Sequence, residues 1–257
     1  MTKRNTQQRR HTIVSLVQEQ GEVSVDALAR HFSTSEVTIR KDLAVLETGG
    51  LLLRRYGGAV PLPSEMVVDS NPDQVSKRKL AIARAAAERI RDHNRVIIDS
   101  GSTTSAMIPM LGNKRGLIVM TNSLNVAGAL RELENEPTLL MTGGTWDPHS
   151  ESFQGQVAEQ VLRSYDFDQL FIGADGIDPE RGTTTFNELV GLSRVMAEVS
   201  REVIVMVESE KIGRKIPNLE LPWSSIHTLV TDEGLAGEAR EQIQARGITL
   251  ICAPVAV

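Results

Sequence analysis

Apolar residues in the first quarter of the chain recur at helical spacing. Ile13, Leu16 and Val17, with polar residues between them, predict a helix over residues 7–19 that stops at Gly21. Ser24 caps a short second helix, Val25 to His31, which turns Leu28, Ala29 and Phe32 inward. After a turn, Ser35 caps a third helix in which Ile39, Leu43 and Leu46 fall at i, i+4 and i+7 and share one stripe. Val37, Thr38, Arg40 and Lys41 then point to the sides and away from it. Gly49-Gly50 ends this helix, and Leu51–Val60 reads as two short strands about a turn. Three helices and such a hairpin make a winged helix-turn-helix over residues 1–60, with Arg54, Arg55 and Tyr56 on the wing.

Residues 61–75 hold prolines and serines without periodicity and read as a linker. Lys77 to Arg91 predicts a helix with Leu80, Ile82, Ala83, Ala86, Ala87 and Ile90 as its apolar residues. A beat of short apolar runs follows: Val96–Ile98, Leu117–Met120, Thr138–Met141, Gln169–Ile172, Val203–Val207, His227–Val230 and Ile248–Cys252. Each gives way to a small, polar or glycine-rich loop. Runs of this length without alternation are buried parallel strands. With helical segments between them they predict one doubly wound α/β domain over residues 76–257. Such sheets bind ligands outside the carboxyl ends of their strands.

The outward face of the third helix carries a methyl, a hydroxyl and two cations. These suit a thymine methyl, a base edge and phosphates in a major groove. The wing arginines suit phosphates or the minor groove. An ordinary amphipathic helix with a solvated basic face has the same pattern. Among the strand-end loops, Asp99-Ser-Gly-Ser-Thr-Thr104 combines hydroxyls, a glycine and a following helix, the parts of a phosphate cradle. It also contains what any capped turn contains. It has no Gly-Lys-Ser/Thr ending, and the chain has no Gly-x-Gly-x-x-Gly, so nucleoside triphosphates and dinucleotides are disfavoured. Gly143-Gly144 permits close backbone approach to a ligand. Asp175 and Asp178 suit sugar hydroxyls, Asn187 and Glu188 can reach the same crevice, and Lys211 can neutralise a phosphate or carboxylate. Together they favour a phosphorylated polyol or sugar, with no cofactor.

Charge sharpens the division. Residues 1–60 hold nine Lys and Arg against six Asp and Glu, a balance of +3, while the remainder holds 19 against 27, a balance of −8. A basic head on an acidic body suits a nucleic-acid module joined to something else. The single cysteine, Cys252, permits no internal disulfide and reads as a buried filler. The five histidines lack ligand spacing, so no metal site is expected. No stretch approaches the apolar length of a membrane span, and a cytoplasmic protein is expected.

Val25-x-x-Leu28, Ser35-x-x-Thr38-Ile-Arg-Lys-Asp-Leu43 and Arg55-Tyr-Gly-Gly-Ala59 resemble the signature of DeoR-type bacterial transcription regulators. The second half resembles them too, in Asp99–Thr104, Met120-Thr-Asn-Ser123, Met141-Thr-Gly-Gly144, Gly173-Ala-Asp-Gly-Ile-Asp178 and Thr185-Phe-Asn-Glu188. Within the family the chain looks closest to regulators of hexitol and amino-sugar operons, such as those for glucitol, galactitol or N-acetylgalactosamine. The resemblance implies a C-terminal domain similar to ribose-5-phosphate isomerase and CoA transferases. It also implies a phosphorylated sugar effector and a homo-oligomer, dimer or tetramer, that usually represses until effector releases it from double-stranded operator DNA. Carried onto this chain, the phosphate cradle maps to Ser100, Gly101, Ser102, Thr103 and Thr104. The flanking residues map to Asp99, Thr121, Asn122, Gly143, Gly144, Asp175, Glu188 and Lys211. The chain departs from the family at Thr34, at Asp147 and His149 where a cation is common, and at Glu208-Ser-Glu-Lys211 where the family reads Asp-Ser-Ser-Lys. Two other functions fit the residues less well. One is a sugar-phosphate isomerase using Asp175, Glu188 and Lys211. The other is an oligomerisation scaffold whose loops are only caps.

Overall fold

The computed structural model describes residues 3–48, 52–55, 57–61, 75–148, 150–185, 190–214, 216 and 218–255. Tyr56, His149, Asn187, Glu188, the Gly49-Gly50 stop and nearly all of the linker, residues 62–74, lie outside the described residues. The chain divides into two compact units, residues 1–74 and 75–257.

The first unit holds α1 (Lys3–Gln20), β1 (Val23–Ser24), α2 (Val25–His31), α3 (Glu36–Thr48), β2 (Leu53–Arg55) and β3 (Gly58–Val60). The first helix begins earlier than residue 7, because nothing before it breaks the helix. Ser24 accepts from the Ala27 N–H at 3.1 Å, and Ser35 accepts from the Thr38 N–H at 3.2 Å, so both predicted caps are formed. Ile13, Val17, Leu28, Ile39, Leu43 and Leu52 pack into one core. The hairpin gains a third strand: β1 pairs with β3, Val23 opposite Ala59, and ties the wing to the start of α2.

Asp42 sits at the junction of α1 and α3. Its carboxylate is 2.6 Å from Arg9 Nε and 2.7 Å from Arg10 Nε, and its side chain is only 3% exposed. A buried carboxylate is tolerable when its lone pairs are occupied by charged donors.

The second unit runs α4 (Lys77–Ala87), β4 (Arg95–Ile98), α5 (Ser102–Ser105), β5 (Ile118–Thr121), α6 (Leu124–Arg131), β6 (Thr138–Met141), β7 (Thr145–Asp147), β8 (Ser152–Gln154) and α7 (Gln156–Leu162). It continues with β9 (Phe167–Ile172), β10 (Gly176–Asp178), β11 (Gly182–Thr185), α8 (Gly191–Glu198), β12 (Ser200–Met206), β13 (Asn218–Pro222), β14 (Thr228–Asp232), α9 (Gly237–Gln244) and β15 (Thr249–Ala253). All seven predicted runs fall in one sheet, ordered β15-β14-β12-β9-β4-β5-β6 and parallel throughout. Side chains alternate between two cores. Ile97, Leu170, Ile172, Val203 and Val205 face one layer with α7 and α8, whereas Val96, Ile98, Phe171, Ile204 and Met206 face the other with α4 and α6. This is the expected doubly wound α/β fold.

Three expectations about packing are corrected. The helix predicted to Arg91 ends at Ala87, followed by a turn that leads into β4. Leu80 is 38% exposed rather than part of an apolar face. Cys252 is half-buried, because β15 is an edge strand.

Asp42→Ala leaves two arginines facing one another without their shared anion. We expect the first unit to lose about 3 kcal/mol, the lower end for a broken buried pair because Arg10 is partly solvated. The fall should appear as a lower urea midpoint for that unit alone. An unchanged midpoint would show that Asp42 does not join the two helices.

Candidate functional site

Winding direction fixes where the second unit can hold a ligand. From β4 the chain winds outward to β5 and β6, then returns to place β9 on the other side of β4 before continuing to β12, β14 and β15. The β4/β9 boundary is therefore the switch point, where the loops leaving two neighbouring strands diverge and open a crevice. The loop after β4 begins at Asp99, whose N–H donates to Phe171 O at 3.0 Å, and the loop after β9 carries Gly173-Ala-Asp175.

The Asp99 loop is shaped by its own hydrogen bonds. Gly101 has φ 133°, a backbone conformation that L side chains rarely adopt. The Ser100 N–H donates to Asn122 Oδ1 at 3.1 Å, and Asn122 Nδ2 donates to Asp99 Oδ1 at 2.8 Å. Thr104 shares its hydroxyl proton between Asp99 O at 2.8 Å and Gly101 O at 2.9 Å. Thr121 accepts from the Ser123 N–H and is fully buried. Thr104, Thr121 and Asn122 are thus braces of the loop, and Thr103 is buried beside them. Gly101 and Ser102 are exposed at the crevice, and Ser100 is half-buried. The following helix, α5, is a single turn. Its dipole is correspondingly small, so any anion here depends on backbone N–H groups and hydroxyls.

Other expected ligands divide in the same way. Gly144 does allow a close approach, but by the chain itself: a Cβ there would meet Gln154 O at 2.5 Å and Ala158 at 3.2 Å. Gly143 has φ 61° and open space around it. Asp178 closes a turn instead of facing a ligand, accepting from the Glu180 N–H and pairing with Arg181 at 2.7 Å. Asp175 accepts from the Thr185 hydroxyl at 2.7 Å. Lys211, 5% exposed, donates to Ala174 O at 2.9 Å. It follows Ser209, which Asp232 anchors through both its N–H and its hydroxyl. The glutamates beside it turn towards the start of α4 rather than the crevice floor. Glu208 accepts from the Ser76 hydroxyl at 2.9 Å, and Glu210 pairs with Arg78 at 3.2 Å.

One residue escaped the sequence reading. The Thr183–Thr185 stretch, absent from the run of predicted strands, is the middle strand of an antiparallel sheet ordered β10-β11-β13. That sheet brings in Glu220, which is buried and accepts from the Ser193 hydroxyl at 2.7 Å and the Thr183 hydroxyl at 3.3 Å. Burial pushes its carboxyl up to about 8, helped by the nearby charges of Asp99 and Asp175. Burial also raises Asp99 to about 6, against the pull of the Asn122 amide. Glu220 on β13 therefore feels the charges of Asp99 and Asp175, which lie on two separate loops at the switch point. Among the described residues, no group of His, Cys, Asp or Glu is arranged to hold a metal ion.

In the first unit, Val37, Arg40 and Lys41 are exposed on α3 as expected, and Thr38 is half-buried, its hydroxyl 2.9 Å from that of Ser35. Arg54 and Arg55 lie on β2. Arg40, Arg54 and Arg55 all line one cavity of about 360 Å³ between α3 and the wing.

A raised carboxyl pKa gives a definite sign. The protonated fold is favoured relative to the unfolded chain, so that stability is fully present below about 4.5. It is lost as pH rises through about 8. The second unit of the wild type should melt lower at pH 8.5 than at pH 6, and Glu220→Gln should shrink that difference. An equal difference in both proteins would remove Glu220 as its source.

Comparison with known proteins agrees with both halves. A DeoR-like helix-turn-helix domain matches residues 9–65, and a DeoR C-terminal sensor domain matches residues 74–233. A putative aga operon transcriptional repressor of Escherichia coli O157:H7 is 39% identical over 96% of this chain and 93% of its own length. The glycerol-3-phosphate regulon repressor of Escherichia coli K12 is 34% identical over 80% of this chain and 83% of its own. A solved ribose 5-phosphate isomerase A from Methanocaldococcus jannaschii covers 52% of this chain and 53% of its own, at 19% identity and a TM-score of 0.38. With both domains matched in order along the chain, this protein belongs to the DeoR family of transcription regulators.

Proposed function

We propose that this chain is a repressor of a sugar or sugar-alcohol utilisation operon, released from its operator by a phosphorylated sugar or polyol. The observation that carries the effector half is the convergence of the Asp99–Thr104 loop, Asp175, Lys211 and Glu220 at the switch point. The phosphate sits against the backbone and hydroxyls of Ser100, Gly101 and Ser102, within reach of the Lys211 ammonium. The carboxyls of Asp99, Asp175 and Glu220 take the hydroxyls of the carbon chain. Gly143 lets the loop after β6 close over the ligand, and Glu188 is assigned to the same crevice by its place in the sequence. The names of the aga operon and glycerol-3-phosphate regulon repressors support this class of effector.

The DNA half rests on the exposed face of α3. Val37, Thr38, Arg40 and Lys41 enter the major groove, Ser35 holds the start of the helix, and Arg54, Arg55 and Tyr56 reach from the wing to the backbone. Residues 61–75 tether this head to the effector domain. In a homo-oligomer, two such heads meet half-sites about 34 Å apart, one helical turn. Effector releases DNA only through a difference in its affinity for the two states. Moving the equilibrium from 1:99 to 99:1 takes about a 10⁴-fold difference. Among the described residues no helix is long and apolar enough to cross a membrane. The isomerase reading is not favoured: the relatives are named as regulators and repressors.

The test is an anisotropy titration on DNA upstream of the gene's own operon, at stated salt, with and without hexitol and amino-sugar phosphates. Release by one phosphate supports the proposal, and release by none would overturn the effector class. Arg40→Ala should weaken operator binding by about 10- to 100-fold while leaving effector affinity unchanged. Equal loss of both would indicate misfolding. Ser102→Asp should do the reverse, keeping DNA binding while abolishing release, because a carboxylate then occupies the phosphate position. Normal release by that variant would move the phosphate elsewhere.

A further inference from the structure

The three arginines that line the cavity between α3 and the wing are not idle in the free chain. Arg40 pairs with Glu36 at 2.7 Å, Arg54 with Glu47 at 3.7 Å and Arg55 with Glu22 at 3.5 Å. Only the first is a local i,i+4 pair. Glu47 reaches from the last turn of α3 to the wing, and Glu22 reaches there from the residue before β1. At least one partner of each pair is more than 45% exposed. Solvated pairs of this kind contribute little to folding, because water and salt screen them. Three converging on one cavity need another explanation.

We propose that this cavity seats one backbone phosphate of duplex DNA, and that Glu22, Glu36 and Glu47 are positioning residues that act as a brake on its occupation. The inference rests on the DNA-binding reading above. The cavity volume, about 360 Å³, accommodates a phosphate group, and its floor is small or apolar: Val25, Leu43, Gly57 and Gly58. Among the described residues, the only charged ones lining it are the three arginines. In the absence of DNA the glutamates hold those guanidiniums. When a phosphate arrives it must take the arginines from their carboxylates, and it leaves three anions beside a polyanion. Phosphate contacts are the sequence-independent part of DNA affinity. The brake therefore lowers attachment to DNA of any sequence and keeps the operator complex weak enough for an effector to break.

The test compares the full-length chain with an E22Q/E36Q/E47Q variant on a random-sequence duplex and on the operator, across a series of salt concentrations. Glutamine keeps the shape, and at position 47 it keeps an oxygen that accepts from the Arg54 N–H. The variant should bind random duplex at least tenfold more tightly. Its plot of log affinity against log salt should steepen by about one, the increment for one more neutralised phosphate. Thermal stability should be unchanged. Adding Arg54→Gln and Arg55→Gln to the variant should abolish the gain. Unchanged affinity, or tighter binding with an unchanged slope, would overturn the brake. A slope change near three would overturn the shared seat, since it means three separate phosphates. If the unaltered chain binds no DNA at all, the DNA-binding reading itself fails, which is a different result from binding that the substitutions leave alone.

Discussion

The reversal of winding between β4 and β9 is the constraint on which the second unit depends. A parallel sheet covered on both faces has nowhere to put polar side chains except its ends. All seven of its strands contribute buried or partly buried side chains to both cores, as Ile97 and Ile98 do on β4. Polar chemistry is thereby pushed into the loops, and the reversal decides which loops part company. Asp99 and Asp175 follow neighbouring strands whose chains leave in opposite senses, and both lie near enough to Glu220 to act on its charge. The small antiparallel sheet completes the crevice by carrying Glu220 to it on β13.

This arrangement sets an electrostatic balance. The crevice collects three carboxyls and one buried ammonium, Lys211. Left fully ionised, the carboxyls would repel one another and any anion. The fold answers by keeping Glu220 protonated near neutrality, so that it is a neutral group able to donate as well as accept. For the proposed effector the two ends of the site then differ in kind. One offers backbone N–H groups and an ammonium, and the other offers carboxyls, one of them uncharged.

Much of the fold was legible in the sequence, for a physical reason. Solvent imposes periodicity on any element with a buried face, and that periodicity is written in the residues. Ile39, Leu43 and Leu46 announce the third helix, and the short unbroken apolar run Val203–Val207 suits the interior strand it forms. The hydroxyl loop at Asp99 was legible because its composition is unusual between a strand and a helix. What the sequence hid were the partnerships made across distance. Nothing near Asp42 says that Arg9 and Arg10 will enclose it. Gly182-Thr-Thr-Thr185 has no apolar alternation, because its neighbours on β10 and β13 supply the burial. Glu220 reads as a surface glutamate until the fold places Ser193 and Thr183 against it. Thr104 and Asn122 had the right composition for ligands, yet their polar atoms brace the loop that would hold one.

The pairing of β4 with β9 also governs when each half of the protein can exist. Val96 meets Gln169 across 73 residues of chain, whereas the first unit closes over much shorter spans, Val23 meeting Ala59. Distant pairings form slowly because the intervening chain must be ordered first, and during synthesis the earlier part folds as a unit. On the ribosome the helix-turn-helix unit is therefore finished while the sheet still waits for its central neighbour to be made. A newly made chain passes through an interval in which it has a head for DNA and no means of being told to let go.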